Sequence, residues 1–184
     1  MALANYAAGG RNEAAAYLEL FGHGQMAHWK NTNEIGYFTE HKIHYYPDVC
    51  REEIPILLNR GYEKIIMDFG DAYEEFRGEI LRCDRKIFLL NLNPWQEFSA
   101  GKMVKTLKKD DWGGIEPLYA SVNAVDCIQE KIEKEYGIKV NEIPAIPNPR
   151  HIGSEYFTCL DAIFGCPAVK KKRKKLLIPI RRNG

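Results

Sequence analysis

One acidic residue stands where chemistry is easiest to build. Ile65, Ile66 and Met67 form a short apolar run, led in from Gly61 and ending on Asp68, before Phe69 and Gly70. A carboxylate just past a strand in an open parallel sheet lies at the edge where such sheets bind ligands. There it can hold Mg²⁺, or a water of its shell, beside a nucleotide phosphate. The plainer alternative is that Asp68 caps the turn that follows it. The usual counterpart of such an acid is absent: no G-x-x-x-x-G-K-[ST] cradle for phosphates occurs in the 184 residues. The residues present make half of a nucleotide site.

The other reactive side chains are less informative. His23 and His28 are five apart and His41 and His44 three apart, and a strand would send the second pair to opposite sides, so neither pair makes a metal-ligand face. The five cysteines, Cys50, Cys83, Cys127, Cys159 and Cys166, are odd in number and contain no C-x-x-C, which argues against a disulfide framework or zinc site and for reduced, mostly buried thiols. No serine, cysteine or aspartate lies in a recognisable nucleophile motif. Gly22 and Gly24 could admit a ligand close to the backbone, but the third glycine of a dinucleotide fingerprint is missing.

These residues need a frame to position them, and the order of elements supplies one. Apolar strand-like segments alternate with helical ones, the mark of βαβ units and a mainly parallel sheet. Met1 to Ala8 reads as a helix end closed by Gly9 and Gly10. Strands are expected over Ala15–Phe21, His41–Tyr46, the Asp68 run, Lys86–Asn91, Tyr119–Val125 and Glu142–Ile146. Helices are expected over Glu52–Arg60, Ala72–Arg82, Pro94–Leu107 and Cys127–Tyr136, the last ended by Gly137. A closing helix runs through Phe164, with Ser154 as its N-cap. Asp126 is a candidate cap for the Cys127 helix, and Trp95 and Phe98 are expected to share a face. With 45% apolar residues the chain can bury one core, so the expected class is a three-layer α/β fold, a mainly parallel sheet with helices on both faces.

Charge divides the molecule. The last fifteen residues carry eight basic groups and no acid, leaving 18 basic against 25 acidic side chains in the rest. Residues 1–167 are therefore read as the α/β domain and 168–184 as a flexible basic tail. The run Lys170, Lys171, Lys172, Arg173, Lys174 and Lys175 precedes an apolar stretch, Leu176 to Ile180. It admits three readings: a solvated tail, an electrostatic contact with anionic lipid, or a sequence-independent contact with nucleic-acid phosphates, with nucleic acid the weakest. Pro179 counts against a continuous amphipathic helix. No apolar run approaches the ~20 residues of a membrane span, and the expected location is the cytoplasm, with peripheral contact to the inner membrane face left open.

In this order the segments resemble the MinD/ParA/CpaE-like ATPases, a P-loop family with a deviant Walker A motif. The resemblance covers most of residues 1–165. Met1 to Ala8 resembles the end of the family's first helix, and Ile65 to Gly70 is similar to its Walker B strand. Cys83 to Leu90 and Asn93, Pro94 and Trp95 resemble the next strand and its step into a helix, Ser121 to Asp126 a later strand, and Ile143 to Pro147 the closing strand and its proline-rich exit. The resemblance implies a nucleotide-dependent switch or scaffold that binds ATP and Mg²⁺ and engages a homodimer or protein partner. It makes Glu19, on the strand after the first helix, a further nucleotide or Mg²⁺ candidate and gives Asn123 a contact with the base. The family's first strand and phosphate loop have no match in the chain, which implies a fragment of a longer protein or a short pseudo-ATPase whose gap a partner or a rearranged sheet fills. In either case ATPase activity is not expected of these residues alone. Phe21 to Gly24 also lack the aspartate the family often carries there for hydrolysis.

Overall fold

The computed structural model describes residues 1–21, 26, 28 and 36–165. Small residues set the first contact. Helix α1 (Ala2–Asn5) continues through a π-helical turn over Tyr6–Gly10 and lays Ala4, Ala7 and Ala8 against strands β1 (Ala15–Glu19) and β3 (Ile43–Tyr46). β1 is buried along its whole length and lies between β3 and β4 (Lys64–Asp68), parallel to both. β2 (Phe38–Glu40) adds an antiparallel edge beside β3. The order of this first sheet is β2-β3-β1-β4.

The remaining chain follows the expected alternation. After a 3-10 turn (Arg51–Glu53) comes α2 (Ile54–Leu58), and after β4 comes α3 (Tyr73–Arg82). Then follow β5 (Ile87–Leu89), α4 (Glu97–Leu107), β6 (Leu118–Val122), α5 (Asp126–Tyr136) and β7 (Val140–Ile143). A second 3-10 turn (Ser154–Tyr156) leads into α6 (Phe157–Phe164). Strands β5, β6 and β7 pair in parallel as a separate three-stranded sheet.

Both sheets belong to one β layer, because the same helices cover them. On one side Phe76 and Ile80 of α3, Val104 and Leu107 of α4, and Ile128 and Ile132 of α5 share a core with Ala16 and Leu18 of β1 and Phe88 of β5. On the other side α1 covers Ile66 of β4, while Leu160 and Ile163 of α6 cover Ile87 of β5. The three-layer α/β architecture is as the sequence predicts. The β layer is divided, however, since no ladder joins β4 to β5 among the described residues.

Helix α6 is tied to the start of the chain. Tyr6 Oη donates to Asp161 Oδ1 at 2.7 Å, Arg11 reaches the same oxygen at 2.9 Å, and the rings of Tyr6 and Phe157 lie 4.9 Å apart. Burial and the Asp161 carboxylate push the Tyr6 hydroxyl up to about 12.

Several local expectations are corrected. His41 and Lys42 do not open a strand; with φ of 50° and 67° they form the two-residue turn of a hairpin between β2 and β3. Such a turn needs left-handed backbone at both centres, usually supplied by Asn-Gly. Pro94, Trp95 and Gln96 form a turn, and α4 starts at Glu97. Asp126 is the first residue of α5 rather than its cap and makes no capping bond, while Ser154 begins the 3-10 turn and caps nothing. Gly137, at φ 60°, ends α5 as expected. The thiols are not mostly buried: Cys50 and Cys127 are exposed and Cys83 and Cys159 half-buried, all four free. Burial raises the Cys83 thiol to about 11, so it is protonated at neutral pH. Cys166, His23, Gly22, Gly24 and the run Lys170–Lys175 lie outside the described residues.

Candidate functional site

The parallel ladder brings two of the three candidate residues together. β1 and β4 run in register from Ala15 opposite Lys64 to Glu19 opposite Asp68, so both carboxylates close neighbouring strands at the same edge. Alternation along β1 places Tyr17 on the same side as Glu19. Its hydroxyl donates a hydrogen bond to Asp68 Oδ2, while the Gly70 amide donates to Oδ1 at 3.1 Å. Asp68 thus caps its following turn and also remains exposed at the edge.

Glu19 is 5% exposed, and its carboxylate accepts the Met26 amide at 3.2 and 3.4 Å. Burial raises its pKa above the ordinary carboxylate value; the Met26 bond opposes this, and the charge of Asp68 reinforces it. Tyr17 is held far above its usual range, chiefly by burial and then by Asp68, so it acts only as a donor. Burial lowers the Met1 amino group to about 6, against the pull of the Asp68 charge. The amino end of α1 therefore belongs to the same electrostatic environment.

Asn123 stands apart. It follows β6 in the second sheet, exposed and in left-handed backbone at φ 57°, the conformation of a turn asparagine. No described contact links it to Asp68 or Glu19. A shallow groove of about 430 Å³ lies elsewhere, lined by Glu97, Phe98, Gly101, Lys105, Ile132 and Tyr136 between α4 and α5. It shares no residue with the acidic pair.

The donor chemistry of the pair suits Mg²⁺ better than a transition metal. Carboxylate oxygens are hard ligands, and Mg²⁺ commonly takes only one or two of them beside phosphates and water. No group of three His, Cys, Asp or Glu side chains poised for a metal occurs among the described residues, so the pair could supply one side of such a shell but not all of it. Among the described residues no histidine or thiol bonds to either carboxylate, and none at this edge forms a nucleophile and its base.

Tyr17 is the residue that sequence reasoning missed. Its two-residue spacing from Glu19 was the available signal, since it places both side chains on one side of β1.

The fold is of the P-loop NTPase-like, three-layer α/β class. It is similar to MinD cell division protein of Aquifex aeolicus, with TM-score 0.59 and 10% identity over 98% of this chain and 92% of that one. A second similar structure is the MinC:MinD cell division protein complex of the same organism, at TM-score 0.61 and 11% identity over 100% of this chain and 92% of that one. No protein-family model matches the sequence. No curated protein matches it either.

Proposed function

We propose that this chain is a MinD/ParA-like switch or scaffold module whose Asp68, with Glu19 beside it, serves the Mg²⁺ side of an ATP site, and that these residues alone neither bind ATP tightly nor hydrolyse it. The observation carrying the reading is the in-register pair of carboxylates at the ends of β1 and β4 in a MinD-like fold. When bound, Mg²⁺ would neutralise phosphate charge. Asp68 would contribute an oxygen directly or through water, and Tyr17 and the Gly70 amide would hold that carboxylate in place. The absence of a phosphate-cradling lysine loop from the sequence supports the second half of the reading.

Calorimetric titration with MgATP tests it on two forms, the 184-residue chain and the same chain extended by a strand and glycine-rich lysine loop. The expected result is no binding by the first, binding by the second, and loss of that binding in the extended form with Asp68→Asn. Turnover or tight binding by the unextended chain overturns the reading, and so does an extended form indifferent to Asp68.

A second reading is a non-catalytic interaction module. Trp95, 92% exposed, and Phe98, 84% exposed, support it by offering large aromatic surface to a partner. The similar MinC:MinD structure is itself a complex of two proteins. If the extended form stays folded and binds no nucleotide, this reading stands.

A further inference from the structure

One chain of polar side chains lies away from the carboxylate edge. Alternation along β3 puts His44 and Tyr46 on the same face of the sheet. Ala16, opposite His44 in β1, adds no bulk to that face, and Tyr62, from the connection between α2 and β4, reaches both. His44 Nδ1 and Tyr62 Oη are 2.6 Å apart, as are Tyr62 Oη and Tyr46 Oη, and Arg60 Nη1 donates to Tyr46 Oη at 3.0 Å. Ring contacts hold the members in place. Tyr37 stacks on Tyr46 at 5.3 Å and lies 5.3 Å from His44, the Tyr62 ring stands edge-on to His44, and the Arg60 guanidinium is 5.7 Å from the centre of the Tyr46 ring.

Counting protons gives the chain a direction. A guanidinium only donates, so Tyr46 Oη is the acceptor at that end. Burial and the bond with Tyr46 push the Tyr62 hydroxyl up to about 12, against the pull of the Arg60 charge, so it keeps its proton at neutral pH. Two hydroxyl protons then serve the two remaining links: Tyr46 donates to Tyr62, and Tyr62 donates to His44. That order needs Nδ1 as acceptor, with Nε2 carrying the proton of the neutral ring. A proton taken up at Nδ1 reverses it. Nδ1–H must donate to Tyr62 and Tyr62 to Tyr46, whose oxygen then accepts twice while its own proton loses its acceptor. Tyr46 is 6% exposed, and a buried polar group left without a partner is costly. The surroundings do not favour imidazolium either. Among the described residues the ring is faced by Tyr37 and Tyr62, with Thr39 opposite in β2 and Ala16 in β1, and the charge at the far end of the chain, Arg60, has the same sign. Glu40 pairs with Arg150, Lys42 bonds Asn12, and Glu63 accepts the Ala14 amide.

We infer that His44, Tyr62, Tyr46 and Arg60 form an acid-sensitive latch on the connection between α2 and β4, closed while the imidazole is neutral and opened when it takes up a proton. The latch fastens Arg60 and Tyr62, and the next two residues, Glu63 and Lys64, donate their amides to the Ala14 carbonyl at 2.9 and 3.1 Å where β4 begins. Stability contributed by the latch is present above the ordinary imidazole value of about 6.5 and is lost as pH falls below it. The latch stands apart from the nucleotide reading, since it needs neither ATP nor Asp68 as a metal ligand.

Amide hydrogen exchange on the full 184-residue chain tests it, read at Arg60, Glu63 and Lys64 and corrected for the intrinsic rate at each pH. Between about pH 7.5 and about pH 5.5, either side of the ordinary imidazole value, protection of these amides should fall about fivefold, the worth of one hydrogen bond. His44→Asn presents an acceptor oxygen in place of Nδ1 and takes up no proton, so its protection should stay level across that range. Tyr62→Phe keeps His44 and cuts the chain, and should show the reduced protection at both ends of the range. No fall in the parent, an equal fall in His44→Asn, or a fall that persists in Tyr62→Phe overturns the proposal. Nitrogen-15 NMR of the imidazole needs no variant. At about pH 7.5 His44 should carry its proton on Nε2 and none on Nδ1, and a ring protonated on Nδ1 there overturns the proposal as well.

Discussion

Glu19 places a carboxylate where almost none of its surface meets water, and its energetics follow from that. The native state keeps this proton to a higher pH than the unfolded chain does. Stability contributed by Glu19 therefore falls as pH rises from about 4, the ordinary carboxylate value, and levels off above the native one. Glu19→Gln keeps the acceptor for Met26 and removes the charge. It should flatten this part of the stability curve and leave the variant more stable than the parent near neutrality, as read by urea midpoints across the acid-to-neutral range. Gly70 is constrained more tightly. It holds φ at 55°, and a Cβ there would lie 2.4 Å from the Phe21 carbonyl oxygen. Gly70→Ala should cost about 2–4 kcal/mol in denaturant unfolding, combining left-handed strain and overpacking. Asp68 was legible as the end of a strand because an acid directly after Ile-Ile-Met marks such an end in the sequence alone. Its bond with Tyr17 was not, because that depends on which two strands become neighbours.

At the scale of elements, periodicity located most helices and strands, and boundaries drifted where a turn was built from unusual residues. The β2-β3 hairpin shows why. His41 and Lys42 adopt left-handed backbone without the glycine or asparagine that announces such a turn. The double substitution His41→Asn, Lys42→Gly should relieve that cost and raise stability by about 1 kcal/mol, seen as an increased melting temperature with unchanged circular dichroism. Trp95 and Phe98 illustrate a different limit. Their spacing suggested a common face, and nothing in the sequence separates an inward from an outward one.

At the scale of the molecule, the succession of strands and helices carried the fold class, although identity to the similar MinD structure is 10%. Layering depends on where apolar faces point, and that survives wide sequence change. The split of the sheet was harder to place, because an unpaired edge has no local signature: Ile65 to Met67 read as a buried strand whether one edge or two are paired. The charge asymmetry leads to another expectation. Residues 170–184 carry eight basic groups and no acid. Truncation after Val169 should leave the unfolding midpoint of the α/β body unchanged to within about 0.5 kcal/mol, while an anion exchanger retains the shortened, acidic form more strongly near neutral pH. A large drop in stability would mean that the tail belongs to the fold.

The bond from Tyr6 to Asp161 spans 155 residues, which gives the molecule an order of assembly. During translation β4 is complete long before α6 exists. At ribosomal speeds of about 5–20 residues per second, roughly 5–20 seconds separate the two. For that interval Ile66, and Ile87 once it has been made, lack the last helix of their cover. The nascent chain is then at its most open to a chaperone, until α6 docks through Asp161.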